Sequence, residues 1–282
     1  MNCRYPIYIP TKGRYESRLT MKAFDKIGVQ YKAVIEPQEV DKYLACGLRK
    51  DYVLTLPHSD KGLVPTRNWI WDHAKASGVR RFWTFDDNIE GFLRLNRNAK
   101  VKVSSGTFLR VIEDFVERYE NIAIAGCHYD FFVKCKDKLP PFYKNRRVYS
   151  NMLILTDIPY RNEGFYNDDT DLCLRVLKDG WCTVLFLAFL ALKSTTMTVK
   201  GGMTPHYLKT GEGLEADGRY RMAKELCEKH PDVSRITWKF NRWQHHVDYS
   251  SFRYNRLVLR ADAQIPRGVN SYGMVLRPDF KG

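Results

Sequence analysis

The chain has 282 residues, of which 44% are hydrophobic, and its 15 Phe and 17 Tyr supply enough apolar mass for a globular fold with a real core. Lys and Arg total 46 against 32 Asp and Glu, and the resulting net charge of +14 favours polyanionic partners such as nucleic acid, although a basic surface that only confers solubility has the same composition. Seven cysteines scattered without a CxxC pair argue against a disulfide or zinc framework, and the longest apolar run, Cys182 to Leu192, falls short of the ~20 residues that cross a bilayer. With no signal-peptide pattern in Met1 to Pro6, a soluble, cytoplasmic protein is expected.

Along the first half, short apolar runs alternate with helical patterns. Tyr5 to Pro10, Tyr31 to Glu36, Tyr52 to Leu56 and Arg81 to Phe85 read as strands; Ser17 to Ile27, Glu39 to Cys46 and Pro65 to Ala76 read as helices. Strand and helix in repetition predict an α/β fold with a mostly parallel sheet covered by helices. Further on, the spacing of Phe108, Val111, Ile112 and Phe115 predicts a helix within Ser105 to Arg118, followed by a strand at Ile122 to Ala125. Cys135 to Arg147 is a basic connection carrying Lys136, Lys138, Lys144, Arg146 and Arg147, with Lys134 just before it. Met152 to Leu155 reads as strand, Asp169 to Lys178 as helix, Trp181 to Leu190 as buried strand, Lys200 to Gly218 as a glycine-rich surface loop and Arg219 to Lys229 as a last helix.

Ligands of parallel sheets bind at the carboxyl ends of the strands, where this reading puts Thr11-Lys12-Gly13-Arg14, Glu36 and Asp86-Asp87-Asn88. Lys12 and Arg14 beside a glycine turn suit a diphosphate. The adjacent carboxylates Asp86 and Asp87 suit Mg2+ or Mn2+, though Asp and Asn also close strands as plain turn residues. Arg67 lies early in a helix, an unfavourable place for a cation unless it serves a ligand. Asp168, Asp169 and Asp171 crowd four positions; one of the first two is expected to cap the helix, and a carboxylate so placed is a candidate general base. Trp238 to Tyr249 concentrates aromatics and cations around His245 and His246, which are packing residues or, one of them, a ligand completing the metal site begun at Asp86 and Asp87. Neither GxGxxG nor a Walker motif is present, which counts against dinucleotide cofactors and ATPase chemistry.

In their joint order, Ile7 to Arg14, Gly62 to Trp69, Trp83 to Asn88, Asn167 to Leu174 and Trp238 to Tyr249 resemble the motif series of nucleotide-sugar glycosyltransferases of the GT-A fold, and among them the TET-associated glycosyltransferases encoded by tailed phages. The resemblance implies a GT-A type, Rossmann-like, mostly parallel central sheet flanked by helices with a smaller acceptor-side sheet. It further implies one domain over 1–282, with a nucleotide-sugar half at 1–128, an acceptor half at 129–236 and a metal-binding, basic tail at 237–282. The implied reaction moves a sugar from a UDP-sugar to a 5-hydroxymethylpyrimidine, foremost 5-hydroxymethylcytosine, in double-stranded DNA.

Thr11, Lys12, Arg14, Glu36, Arg67, Asn68 and Asp86 would then surround the donor. Asp86, Asp87 and Asn88 would match the DxD motif, with Asp87, Asn88 and His245 or His246 on the Mn2+ or Mg2+ ion, and Asp169 beside Asp168 would supply the base. The sequence departs from the motif at Asn88, which stands where the third acid is usual. Two other readings share these residues: a two-metal nuclease or nucleotidyltransferase using Asp86, Asp87 and Asp169, and a noncatalytic DNA-binding protein built on Trp238 to Tyr249.

Overall fold

A computed structural model describes residues 3–96, 98–135, 139–194, 201–202, 204–208, 210–265 and 269. The elements run β1 (Ile7–Thr11), α1 (Leu19–Lys26), β2 (Lys32–Ile35), α2 (Val40–Ala45), β3 (Val53–Thr55), α3 (Leu63–Ala76), β4 (Arg81–Phe85), β5 (Ile89–Asn96), β6 (Ala99–Lys102) and α4 (Thr107–Val116). They continue as β7 (Ile122–Tyr129), β8 (Phe142–Lys144), β9 (Asn151–Leu155), α5 (Asp168–Lys178), β10 (Cys182–Lys193), α6 (Gly218–Lys229), β11 (Ser234–Trp238) and β12 (Trp243–Val247). The α/β class is as expected: helices flank one large sheet ordered β3-β2-β1-β4-β9-β7-β10-β5-β6, with β8 beside β10 and β11-β12 as a separate small sheet.

Pairing is parallel through β3-β2-β1-β4 and again between β7 and β10, with β9, β5, β6 and β8 antiparallel to their neighbours. Strand β4 shows why the sheet needs helices on both faces. Phe82 joins Ile70, Trp71, Leu172 and Val176 of α3 and α5, whereas Trp83 and Phe85 join Phe24, Tyr43, Leu109 and Ile112 of α1, α2 and α4. A strand buried on both faces reads as a continuous apolar run, the pattern from which the sheet was expected.

Order reverses at β1: the chain passes to β2 and β3 on one side, then returns through α3 to β4 on the other. The carboxyl ends of β1 and β4 therefore flank the crevice where open α/β sheets bind ligands. It opens beside Thr11 and the Asp86-Asp87 turn.

Several expectations are corrected. Asn88 to Ser105, to which no element was assigned, forms the β5-β6 hairpin; its Gly91 and mixed alternation hide a strand whose partner, β10, is ~100 residues away in sequence. The basic connection contains β8, while Lys136 and Lys138 lie outside the described residues. In the loop read from Lys200 to Gly218, Thr204–Tyr207 forms a 3-10 turn, and Lys200, Met203 and Lys209 lie outside the described residues. Residues 266–268 and 270–282 of the basic tail also lie outside them. All seven cysteines are free thiols, and among the described residues no helix is long and apolar enough to cross a membrane.

Candidate active site

Four carboxylates and four cations alternate at the carboxyl end of the sheet. Helix α3 carries Arg67, 6% exposed, beneath this end. Its guanidinium donates through Nη2 to Asp86 Oδ1 at 2.8 Å and through Nη1 to Asp168 Oδ2 at 2.5 Å, joining the turn after β4 to the first turn of α5. Burial opposes the charge on Arg67, and Asp168 and Asp86 outweigh it, so the group stays protonated.

Lys193, the last residue of β10, donates to Asp86 Oδ2 at 2.7 Å and to Ser150 Oγ at 2.8 Å. The register that pairs Lys193 with Ile89 sets it beside the acidic turn. Burial pushes the Asp86 carboxyl up, but Lys193 and Arg67 prevail and lower it from its ordinary 3.8 to about 2. Asp87 is bonded by Arg14 Nη1 and by Thr11 Oγ1, the latter at 2.7 Å. Thr11 Oγ1 also lies 2.6 Å from the Tyr43 hydroxyl; with its proton on Asp87, it accepts from Tyr43. Burial outweighs Arg14 at Asp87 and raises its carboxyl.

On the other side, Arg147 Nη2 donates to Asp169 Oδ2 at 2.8 Å, and the Thr170 amide donates to Asp169 Oδ1 at 2.7 Å. Burial works to raise the Asp169 carboxyl, and Arg147 overcomes it and holds the group below the ordinary range. Asp168 moves the opposite way, raised by burial that Arg67 only partly offsets. Neither aspartate is the helix cap. That place is taken by Asn167 in a left-handed conformation (φ 52°), whose side-chain amide donates to Met222 O. Asp171, third of the run, serves the scaffold by binding Arg175 and His230.

The remaining expected residues are scattered around this cluster. Lys12 binds Glu36 at 2.8 Å and Asp60, at the ends of β1 and β2. Asn68 is spent on Asn162, bonding its amide nitrogen at 2.9 Å and its carbonyl at 3.0 Å. Asn88 Oδ1 is buried without a hydrogen-bond partner. His245 and His246 point to opposite faces of β12, as neighbours on a strand must. His245 faces Arg147 and Asp169, and burial together with Arg147 pushes it down to about 4. His246 lines a separate cavity of about 360 Å³ with Lys144, Arg146 and Arg253.

The segment after β10 returns over the crevice. Gly202 N donates to Lys12 O at 3.3 Å and Arg14 Nη2 donates to Gly201 O at 3.3 Å. A Cβ on Gly201 (φ 84°) would stand 2.9 Å from Lys12 O, so only glycine allows this approach. Tyr207 then faces Asp169, Asp86 and Asp168, and burial plus these carboxylates push its hydroxyl up to about 12.

The residues present do not fit a resident divalent ion. No three Asp, Glu, His or Cys side chains converge on a metal position among the described residues. Both oxygens of Asp86 and both of Asp87 are already bonded, and neither histidine stands with them. An ion at Asp87 has to displace Arg14.

The sequence profile of the TET-Associated Glycosyltransferase family matches residues 5–202. The chain belongs to this family. It is therefore a glycosyltransferase. The matched TET-associated segment contains every charged residue of the cluster from Arg14 to Lys193 and ends before β11-β12, so His245 and His246 fall outside it. Among solved structures, S. aureus TarS 1-349 is similar over 93% of this chain and 100% of that one, at 10% identity and a TM-score of 0.41. No curated protein matches.

Lys193, Arg147, Ser150 and Tyr207 were not singled out from sequence as site residues. For Lys193 the signal was a cation ending an apolar strand; Arg147 was hidden among the basic residues of its connection.

Removing Arg67 strands Asp168 in a buried site. Arg67→Met is expected to cost about 3–5 kcal/mol of stability at pH 7, measured by urea denaturation. Less should be lost near pH 4, where the stranded carboxylate protonates. In the unmodified protein the Asp86 contribution has the opposite pH sense: its folded value is depressed, so it is full above about pH 4 and is lost as pH falls toward 2. An equal loss at both pH values would contradict this account.

Proposed function

We propose that this glycosyltransferase moves a sugar from a UDP-sugar to the hydroxymethyl group of a 5-hydroxymethylpyrimidine, foremost 5-hydroxymethylcytosine, in double-stranded DNA. The observation that supports the reading is the Arg67 bridge, which joins the turn after β4 to the carboxylate pair that opens α5.

In this reading Thr11, Lys12 and Glu36 border the nucleotide, and Asp86 with Arg67 orients the sugar. As the sugar leaves, charge builds on the diphosphate. Arg14 and Lys193, which now bind Asp87 and Asp86, turn to the phosphate oxygens. Asp169, ionised at neutral pH under the influence of Arg147, takes the proton of the acceptor hydroxyl. The hydroxyl oxygen bonds the anomeric carbon, and UDP departs with the electrons of the broken C–O bond. The Mn2+ or Mg2+ that the resemblance implies is given no step here, since Asp86 and Asp87 are paired with cations in this structure. The same engagement disfavours a two-metal nuclease.

DNA as acceptor is supported by the net charge of +14 and by two surfaces. The β11-β12 tip presents Trp238 and Phe240, 57% and 74% exposed, in a segment that also carries Lys239 and Arg242. The cavity at Lys144, Arg146 and Arg253 suits backbone phosphate. A DNA substrate would place the enzyme in the cytoplasm of the cell that holds it.

UDP-sugars screened against hydroxymethylated and unmodified duplexes by mass spectrometry should add one sugar to the hydroxymethylated duplex alone. Asp169→Asn should reduce that transfer by about a hundred-fold or more, with UDP affinity retained. Transfer confined to acceptors other than DNA, or strand cleavage, would contradict the reading. UDP affinity by calorimetry is expected to be the same in EDTA as in Mn2+; tightening by Mn2+ would show that the ion displaces Arg14.

A further inference from the structure

Strand β7 leads from the core to a 3-10 turn, Asp130–Phe132, and carries a run of rings with it. Tyr129 and Tyr149 have centroids 4.7 Å apart, His128 stacks on Tyr149 at 5.3 Å, and Phe132 stacks on Tyr149 at 5.8 Å with planes 27° apart. Phe131 lies 5.4 Å from Tyr129 and 4.4 Å from Phe132. The inner rings, His128 and Tyr129, are each 8% exposed, whereas Phe131 and Phe132 are 53% and 56% exposed. A stack needed only for packing would bury the two rings that carry no polar atom, Phe131 and Phe132.

The inner end of this stack lies against the reactive pocket. Lys193, which binds Asp86, sits 5.3 Å over the Tyr129 ring, and Arg147, which binds Asp169, sits 4.9 Å over the Tyr149 ring. The Tyr129 hydroxyl lies 2.5 Å from Ser150 Oγ, which accepts from Lys193. Arg146 follows on from these rings: its charge bears on His128, and it lines the cavity with Lys144, His246 and Arg253. A run of rings, tilted by 27° to 53° against one another, thus leads from solvent toward the cations that bind Asp86 and Asp169, with Arg146 beside it. That combination suits a single nucleobase with its flanking backbone, since every base offers a π face and stacking tolerates any sequence.

We propose that Phe131, Phe132 and Tyr149 form a stacking platform that holds the acceptor pyrimidine after it has left the duplex, while Lys144, Arg146 and Arg253 hold the flanking phosphates. The proposal rests on the DNA-acceptor reading above and deepens it: the base reaches Asp169 by eversion. In a paired base the hydroxymethyl group projects into the major groove. On the platform it turns toward the pocket.

The test uses a duplex with one hydroxymethylcytosine beside a 2-aminopurine, the full-length protein, and the variants Phe131→Ala/Phe132→Ala and Phe131→Leu/Phe132→Leu. Binding of the unmodified protein is expected to raise 2-aminopurine fluorescence as the neighbouring base unstacks. Both variants should lose that rise and fall roughly ten-fold or more in transfer, with UDP affinity and the circular dichroism spectrum unchanged. The Leu pair keeps apolar bulk without a π face, so full activity in it would overturn the platform. So would full activity in the Ala pair, or transfer by the unmodified protein without any fluorescence change. A protein that binds UDP yet glycosylates no hydroxymethylated DNA would overturn the acceptor reading and the platform together.

Discussion

One buried guanidinium sets the geometry on which the pocket depends. Arg67 satisfies two carboxylates from elements about 80 residues apart in sequence, and its planar fork can address both at once where a lysine would offer a single point charge. From this bridge the charges alternate outward: Lys193 on the far oxygen of Asp86, Arg14 on Asp87, Arg147 on Asp169. Desolvating so many ions costs several kcal/mol apiece, and well-packed apolar side chains in their place would often be neutral or stabilising. An arrangement with so little advantage for stability is better explained by what it does to a ligand. Its cations have carboxylate partners that phosphate can replace, and its aspartates are split in proton affinity, Asp168 upward and Asp169 downward.

Parallel-sheet topology supplies the place for this bridge. Because β1 and β4 diverge at the switch point, Thr11 and Asp87 meet across the crevice, and Glu36 closes it from β2. Gly202 returns to the end of β1, and Tyr207 stands within the field of Asp169, Asp86 and Asp168. The proposed acceptor side is built differently, from rings on β7 and the segment before β9, with cations laid on their faces.

The doubly covered sheet was legible because burial on both faces leaves long apolar runs, and β4 was read to the residue at Arg81 to Phe85. The acidic turn was legible for the converse reason: carboxylates at a strand exit stand out in a basic chain. The hairpins β5-β6 and β11-β12 were not assigned as strands, since their partners lie far away in sequence or their faces are only half-buried. Arg67 and the aspartates were singled out, but their mutual pairing is a tertiary fact. Lys193 and Arg147 escaped because a charge ending a strand or lying in a basic connection looks like any other solvated cation. The helix cap went astray at the local level, where the left-handed Asn167 took the role expected of Asp168 or Asp169.

The claim that a single guanidinium couples the two acidic patches is tested most directly by a double-mutant cycle on stability, with Asp86→Asn, Asp168→Asn and the pair compared at neutral pH. If both carboxylates share Arg67, the second substitution leaves its charge with no carboxylate, and the cycle should give a coupling energy above about 1 kcal/mol. Additivity within about 0.5 kcal/mol would mean that the two patches act independently and that the pocket described here does not exist as one site.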